Sequence, residues 1–349
     1  MSRGVARILS GVALAALVVL SVSPVPAPKP ARADTLPMVT DVDLTAQITQ
    51  LLAGYKGTYR VSVRELGGAG RSVSIRGTSR VEPASTIKLF YAWLALRQVD
   101  AGRLSLTTKL ASGYSVSSCL RLMISLSDNP CSTDIRERLG NRWINAQLAQ
   151  QGFPGTYIVV NSSGGYVTKR VTTRDLVELY SRIEAETGLS AGSTALLHRL
   201  LQGQIWRFRL TSGLESGVMA ETKSGQLLLT DGMVEADTGI VYGPTTTYAV
   251  AVIGTGGASK YAVRRISQMI YEHFEAPVVT PARFPVAQFH AASQTALRTA
   301  PGGGVTAWLS AGTHVEVVAT ERNWYQVKAA GRTGWVWYST LALVPEYRW

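Results

Sequence analysis

Ser85 and Lys88 stand three residues apart at the start of a long apolar-periodic segment. On a helix that spacing puts both on one face, so the lysine amine can reach the serine hydroxyl. The helix N-terminus adds positive potential that favours a developing alkoxide. A serine hydroxyl alone is a weak nucleophile, and a desolvated lysine near a second cation can serve as its base. The chemistry would be acyl transfer through a serine ester. Taken alone, the pair is better explained as a helix start with a solvated lysine. Two triplets read the same way. Ser127-Asp128-Asn129 before Pro130 fits a turn with a helix cap, or a second hydroxyl with a short acid and an amide. Lys223-Ser224-Gly225 fits an edge-strand lysine and a glycine at a close backbone approach.

The elements that must position these residues follow from periodicity. A helix is expected over 43–54, then a hairpin with strands at 59–65 and 72–75. Pro83 precedes an expected helix over 85–99, closed by Gly102, which is the usual proline-first, glycine-last asymmetry. Helices are expected over 116–124, 132–139, 142–151, 174–186 and 194–201. Strands are expected at 217–222, 227–235, 239–242 and 247–254, with a closing helix over 261–274. This order describes an α+β domain: a sheet joined from both chain ends, with a helical lobe inserted. The proline-containing stretch 276–291 reads as a linker. Beyond it, over 292–349, lie five of the eight Trp and short β-type runs between glycine turns, the pattern of a small all-β barrel.

The chain has 349 residues, 46% of them hydrophobic and 17% charged. That composition supports a sizeable core and excludes disorder as its main character. Arg3 and Arg7 precede an apolar run too short for a comfortable membrane span, and Ala31-Arg32-Ala33 has the small-x-small pattern of a cleavage site. A secretory signal peptide over 1–33, cleaved before Asp34, is expected, leaving residues 34–275 as the first domain and no stable membrane span. Loss of Arg3, Arg7, Lys29 and Arg32 takes the net charge from +12 to +8. With no run of five like charges, that charge reads as scattered surface Lys and Arg, and no nucleic-acid partner is expected. The two cysteines, Cys119 and Cys131, allow one intramolecular pairing, which an exported protein permits. Such a disulfide would close a short loop carrying Ser127 and Asn129. The four His have no ligand spacing, so neither metal nor cofactor is expected.

Taken together and in this order, the three motifs resemble the active-site-serine penicillin-recognising superfamily of class A β-lactamases and penicillin-binding D,D-peptidases, whose signature is S-x-x-K, S-D-N and K-[ST]-G. The stretches Glu82-Pro83-Ala84-Ser85-Thr86-Ile87-Lys88, 140–145, Val171-Thr172-Thr173-Arg174-Asp175-Leu176 and 237–242 resemble further family segments, so the resemblance spans roughly 41–275. It implies an antiparallel sheet plus helical lobe, with Ser85 as nucleophile and Lys88 taking its proton. Ser127 would relay a proton to the leaving nitrogen, and Asn129 would bind the substrate amide. Lys223 and Ser224 would hold the substrate carboxylate, and Gly225 belongs to the same motif. The N–H groups of Ser85 and Gln226 would form the oxyanion hole, each such donor being worth about 3 kcal/mol. Asp128 is expected to be structural.

One departure bears on turnover. Class A β-lactamases carry an Ω-loop Glu that activates the deacylating water, yet residues 142–174 here contain no Asp or Glu. General-base catalysis is typically worth ~10²–10⁴-fold, so fast β-lactam hydrolysis is not expected. Residues 292–344 resemble bacterial SH3-like domains, through Ala296-Leu297-Arg298-Thr299-Ala300-Pro301-Gly302, 312–317, Trp324-Tyr325-Gln326-Val327-Lys328 and 331–336. That resemblance implies cell-wall peptide binding. Trp324, Trp335, Trp337 and Tyr338 would be either binding aromatics or the fill of a small core. The expectation is an exported, wall-associated serine hydrolase acting on β-lactams or acyl-D-Ala-D-Ala stem peptides. A β-lactamase with another deacylation route and a non-turnover β-lactam or wall binder are the alternatives.

Overall fold

The structure, a computed structural model, describes Met1 and residues 38–282, 287–321 and 323–343. Apart from Met1, the expected signal peptide lies outside the described residues, as does the C-terminal Trp349. Among the described residues no helix is long and apolar enough to cross a membrane.

The chain opens with β1 (Val39–Thr40), α1 (Val42–Ala53), β2 (Thr58–Glu65) and β3 (Arg71–Ile75). A 3-10 turn, Ala84–Ile87, leads into α2 (Lys88–Asp100). The helical lobe follows as α3 (Val116–Ser125), α4 (Asn129–Leu139) and α5 (Asn141–Gln150). Next come a hairpin of β4 (Tyr157–Val160) and β5 (Tyr166–Arg170), then α6 (Thr173–Glu184) and α7 (Ala191–Gln202). The chain returns to the sheet through β6 (Met219–Leu229), β7 (Gly232–Tyr242) and β8 (Thr247–Thr255), and α8 (Lys260–Phe274) closes the domain.

The main sheet has the order β1-β3-β2-β8-β7-β6, so β2 and β8 join the two ends of the domain, antiparallel and in continuous register from Thr58–Thr255 to Glu65–Tyr248. Strand alternation sends the two faces of β8 to different cores. Tyr248, Val250 and Val252 pack with Leu44, Ile48, Ile266 and Ile270 of α1 and α8. Ala249, Ala251 and Ile253 face the helical lobe. Helix α2 lies inside that lobe with every residue from Lys88 to Leu96 buried, so it is apolar nearly all round rather than amphipathic.

Three local differences from the sequence reading have physical causes. The expected helix over 85–99 starts as a 3-10 turn, Ala84–Ile87, whose first residue has a left-handed φ of +49°. Helix α4 begins at Asn129 rather than 132, because the Asp128 carboxylate caps it by accepting the Cys131 N–H at 2.7 Å. The three expected strands between 217 and 242 are two long ones joined at Thr230-Asp231, since Lys223, Ser224 and Gly225 are themselves ladder residues opposite Thr238, Asp237 and Ala236. Their polarity interrupts the hydrophobic alternation without interrupting the strand.

The C-terminal region is a seven-stranded antiparallel sheet of β9 (Ala287–Ala291), β10 (Thr295–Arg298), β11 (Val305–Leu309), β12 (His314–Glu321), β13 (Trp324–Ala329), β14 (Arg332–Trp337) and β15 (Leu341–Leu343). Strand β9 lies in the stretch read as linker, yet pairs with β12 and β15. The core here is Phe289, Leu297, Leu309, Val315, Val317, Tyr325, Val327 and Val336. Trp324, Trp335 and Tyr338 are half-buried and Trp337 is exposed, so none of these four is enclosed in the module's core.

Candidate active site

The three motifs converge through two helices and a strand. Ser85 sits on the 3-10 turn and Lys88 at the first position of α2. Ser127 lies between α3 and α4 in a left-handed conformation, φ +65°, which turns its hydroxyl back toward the lysines. Lys88 Nζ donates to the Ser127 carbonyl at 2.5 Å and to Asn129 Oδ1 at 2.8 Å, with Ser127 Oγ at 3.5 Å. Lys223 Nζ, from β6, donates to Ser127 Oγ at 2.9 Å and to the Ser224 carbonyl at 2.9 Å. The Ser127 hydroxyl therefore stands between two lysine amines. Ser85 Oγ is not among the hydrogen-bond partners of either lysine.

Both amines are buried. Burial pushes Lys88 down to about 7, helped by the charge of Lys169 and opposed by Asp128. Burial and the charge of Lys88 hold Lys223 well below the ordinary lysine range, with Asp237 opposing and Arg209 adding to the shift. A lysine that is uncharged near neutral pH can accept a proton, which an ordinary solvated lysine cannot.

Gly225 explains how β6 comes so near. A Cβ there would lie 2.7 Å from the Ser85 nitrogen and 3.2 Å from the Pro83 carbonyl oxygen. Only glycine lets the strand lie against the serine turn, which brings the Ser85 N–H beside the strand carrying Gln226. Two backbone donors meeting at such a junction can bind a developing oxyanion.

The disulfide Cys119–Cys131 ties α3 to α4 on either side of Ser127, with the two Cα atoms 4.9 Å apart. Asp128 serves as the helix cap inside that loop. Ser127 and Asn129 are thus fixed by a covalent link, a cap and the Lys88 amine.

Several residues around the site were not singled out as site residues from the sequence. Asp237, opposite Ser224 on β7, is fully buried, and burial raises its carboxyl to about 6 against the pull of Arg209 and Lys223. It accepts the Leu210 N–H at 3.1 Å. Arg209 and Glu235 form a buried ion pair, Nε to Oε2 at 2.6 Å, and Glu235 also accepts from the Gln226 amide at 3.0 Å. A period-two pair of acids, Glu235 and Asp237, opposite a lysine-bearing strand was the available clue.

The segment without acids, 142–174, holds the hairpin β4–β5. The carboxylate that meets this hairpin is Glu82, three residues before Ser85. It accepts from Thr168 Oγ1 at 2.7 Å and pairs with Lys169 at 3.3 Å and Arg170 at 3.5 Å.

Comparison with known proteins agrees with this geometry. Residues 43–274 match the model of the beta-lactamase enzyme family, and residues 293–342 match the bacterial SH3 domain. No curated protein matches the chain. Among solved structures, PBP-A superposes with a TM-score of 0.63 at 24% identity, over 69% of this chain and 99% of its own. A leucine-to-glutamate mutant of PBP-A, in acyl-enzyme complex with penicillin G, gives 0.63 at 25% identity over 68% and 99%. An ancestral class A beta-lactamase gives 0.59 at 21% identity over 66% and 100%. With the family model covering most of the chain and the fold shared with these structures, the chain belongs to the beta-lactamase enzyme family and carries a bacterial SH3 domain behind it.

Proposed function

We propose that this protein is an exported serine acyl-transfer enzyme that is acylated on Ser85 by β-lactams and by acyl-D-Ala-D-Ala ends of peptidoglycan stems, and that releases β-lactam products slowly. The observation that carries this reading is the Ser127 hydroxyl held between two buried amines, Lys88 and Lys223, beside the Ser85 turn.

In this mechanism Lys223 and Ser224 bind the substrate carboxylate, and Asn129 bonds the side-chain amide. Ser85 Oγ attacks the carbonyl carbon while its proton passes to Lys88 Nζ. The oxyanion rests on the N–H groups of Ser85 and Gln226. Lys88 then returns the proton through Ser127 Oγ to the leaving nitrogen, the C–N bond breaks, and the serine ester remains. Water later adds to the ester and restores Ser85. No carboxylate from 142–174 assists that last step, so a rigid β-lactam adduct, whose leaving group stays attached and blocks the cleft, should persist.

Export and wall association rest on the character of residues 1–33, the disulfide and the SH3 domain. The half-buried and exposed Trp324, Trp335, Trp337 and Tyr338 supply the aromatic face for wall peptides. The fold shared with class A beta-lactamases favours a second reading, hydrolysis of β-lactams by another deacylation route. The test is release of D-alanine from an acyl-D-Ala-D-Ala peptide. Release that is lost in Ser85→Ala supports the peptidase reading. Penicillin turnover without such release supports the second, and a lasting adduct with neither indicates a non-turnover binder.

A further inference from the structure

The SH3 module and the catalytic domain belong to one compact unit of the chain. The module is fastened through the stretch between the domains and through α3. In that stretch, the Glu215 carboxylate accepts the Val279 N–H at 2.7 Å and the Thr280 N–H at 2.8 Å. Ser216 N–H donates to the Thr280 carbonyl at 2.8 Å and Ala282 N–H to the Leu214 carbonyl at 3.0 Å, around a β-bridge between Glu215 and Pro281. On α3, the Arg121 guanidinium stacks on the Tyr338 ring, its Cζ 4.1 Å from the ring centroid, and donates to Asn323 Oδ1. The Asn323 carbonyl in turn accepts the Tyr338 N–H at 3.0 Å. Arg121 therefore grips the open end of the β13–β14 hairpin. It does so from a helix that ends at Ser125, about 6 Å of rise further on, where the Ser127 loop begins.

The outward face of the same hairpin is aromatic. Register sets Trp324 opposite Trp337, and Trp335 opposite Gln326 and Arg298, so strand alternation puts these side chains on one face. The other face carries the buried Tyr325, Val327 and Val336. Trp324 and Trp337 meet at 5.0 Å between ring centroids, and Trp337 and Tyr338 at 5.6 Å. The row runs from Arg298, 5.9 Å over Trp324, to Arg121 on the catalytic domain. Glu321 is the acid opposite Trp324. An aromatic row outside the core adds nothing to the module's own packing, and cations at its two ends suit a chain that bears carboxylates. We propose that Arg121 is a positioning residue: it docks the SH3 module on α3 so that the aromatic row and the Ser85 cleft act on one wall polymer, which makes polymeric peptidoglycan a better substrate than a free stem peptide. This rests on the acyl-transfer and wall-binding readings above. A tether alone raises the local concentration of the second site, and a fixed dock removes the freedom that the tether would leave.

The test reads the dock and its consequence separately. In protein labelled with ¹³C-arginine, the Arg121 Cδ–H signals, assigned with Arg121→Met, should be shifted upfield by the Tyr338 ring. They should return to the ordinary arginine position in Tyr338→Leu and stay shifted in Tyr338→Phe. Release of D-alanine is then followed from insoluble peptidoglycan and from a soluble acyl-D-Ala-D-Ala peptide. Arg121→Met should lower kcat/KM about tenfold on the polymer and leave the soluble peptide and benzylpenicillin acylation within about twofold of the parent. Arg121→Gln replaces the methionine variant if that does not fold. Arg121→Lys, which keeps a cation on the ring, should recover most of the polymer rate. An unshifted Arg121 signal in the parent overturns the proposal, and so does polymer turnover that is unchanged or raised once the dock is broken. An equal loss on all three substrates also overturns it, since that would be damage to α3 and the Ser127 loop. A parent that releases D-alanine from neither substrate removes the peptidase reading and the polymer claim with it, while the Arg121 signals still decide the dock.

Discussion

The two walls of the candidate site differ in kind. One wall, built by the Ser85 turn, the Ser127 loop and β6, brings two buried lysines onto the Ser127 hydroxyl and lays Gly225 against the Ser85 turn. On the other side, the hairpin β4–β5 brings Lys169 and Arg170 onto the Glu82 carboxylate, three residues before Ser85. In the proposed mechanism the first forms the serine ester. In that mechanism the second supplies no Asp or Glu from 142–174 to activate water. Under the proposed mechanism acylation and deacylation are separable: the first depends on the turn–strand junction at Ser85 and the second on what the segment 142–174 supplies.

If that division holds, variants on the first wall must act on adduct formation. The largest effect is expected from Ser85→Ala, which should abolish covalent penicillin labelling, a loss of at least ~10⁴-fold on the scale seen for nucleophile removal. Intact-mass spectrometry reads this directly. Lys88→Met removes the proton acceptor and should slow acylation by ~10²–10⁴-fold, measured with a chromogenic cephalosporin. Equal labelling in that variant would mean that another group serves as base.

Gly225→Ala tests the strand–turn junction. Its Cβ would sit 2.7 Å from the Ser85 nitrogen, so β6 must retreat from the turn. Overpacking of this kind costs about 1–3 kcal/mol, and the same displacement should slow acylation by roughly 10–100-fold. Stopped-flow acylation beside thermal melting separates the two effects.

The smallest kinetic effect is expected from removing the disulfide. The Cys119–Cys131 link closes a loop of 12 residues, a constraint worth about 2–3 kcal/mol in the chain-entropy account. A Cys119→Ala, Cys131→Ala protein should melt several degrees lower and acylate less than about tenfold more slowly. Unchanged melting and unchanged acylation would show that the Asp128 cap and the Lys88 bonds hold the Ser127 loop without it.

How much of this was legible in the sequence divides along the same line. The nucleophile helix, both flanks of the sheet and the three motifs could be read because their spacing and periodicity are local. Ser85 with Lys88, and Lys223 with Ser224 and Gly225, are contiguous signals. Glu82, Lys169, Arg209, Glu235 and Asp237 were not legible as site residues. Their meaning lies in partners 87 positions apart for Glu82 and Lys169, and 26 apart for Arg209 and Glu235. A short run such as Tyr166–Arg170, with exposed Tyr166 and Val167, has too weak an alternation to announce a strand. Asn129 was legible as a site residue through its motif but not as the first residue of a helix, because the Asp128 cap moves the helix start three residues upstream of the apolar pattern.

The central claim is that the site forms a serine ester readily and breaks it slowly. The most direct measurement is the intact mass of the protein over hours after mixing with benzylpenicillin. The account predicts a one-to-one adduct of penicillin mass that persists for hours and is absent in Ser85→Ala. Rapid consumption of penicillin with no lasting adduct would contradict it, and would place an efficient deacylating base somewhere on the hairpin wall.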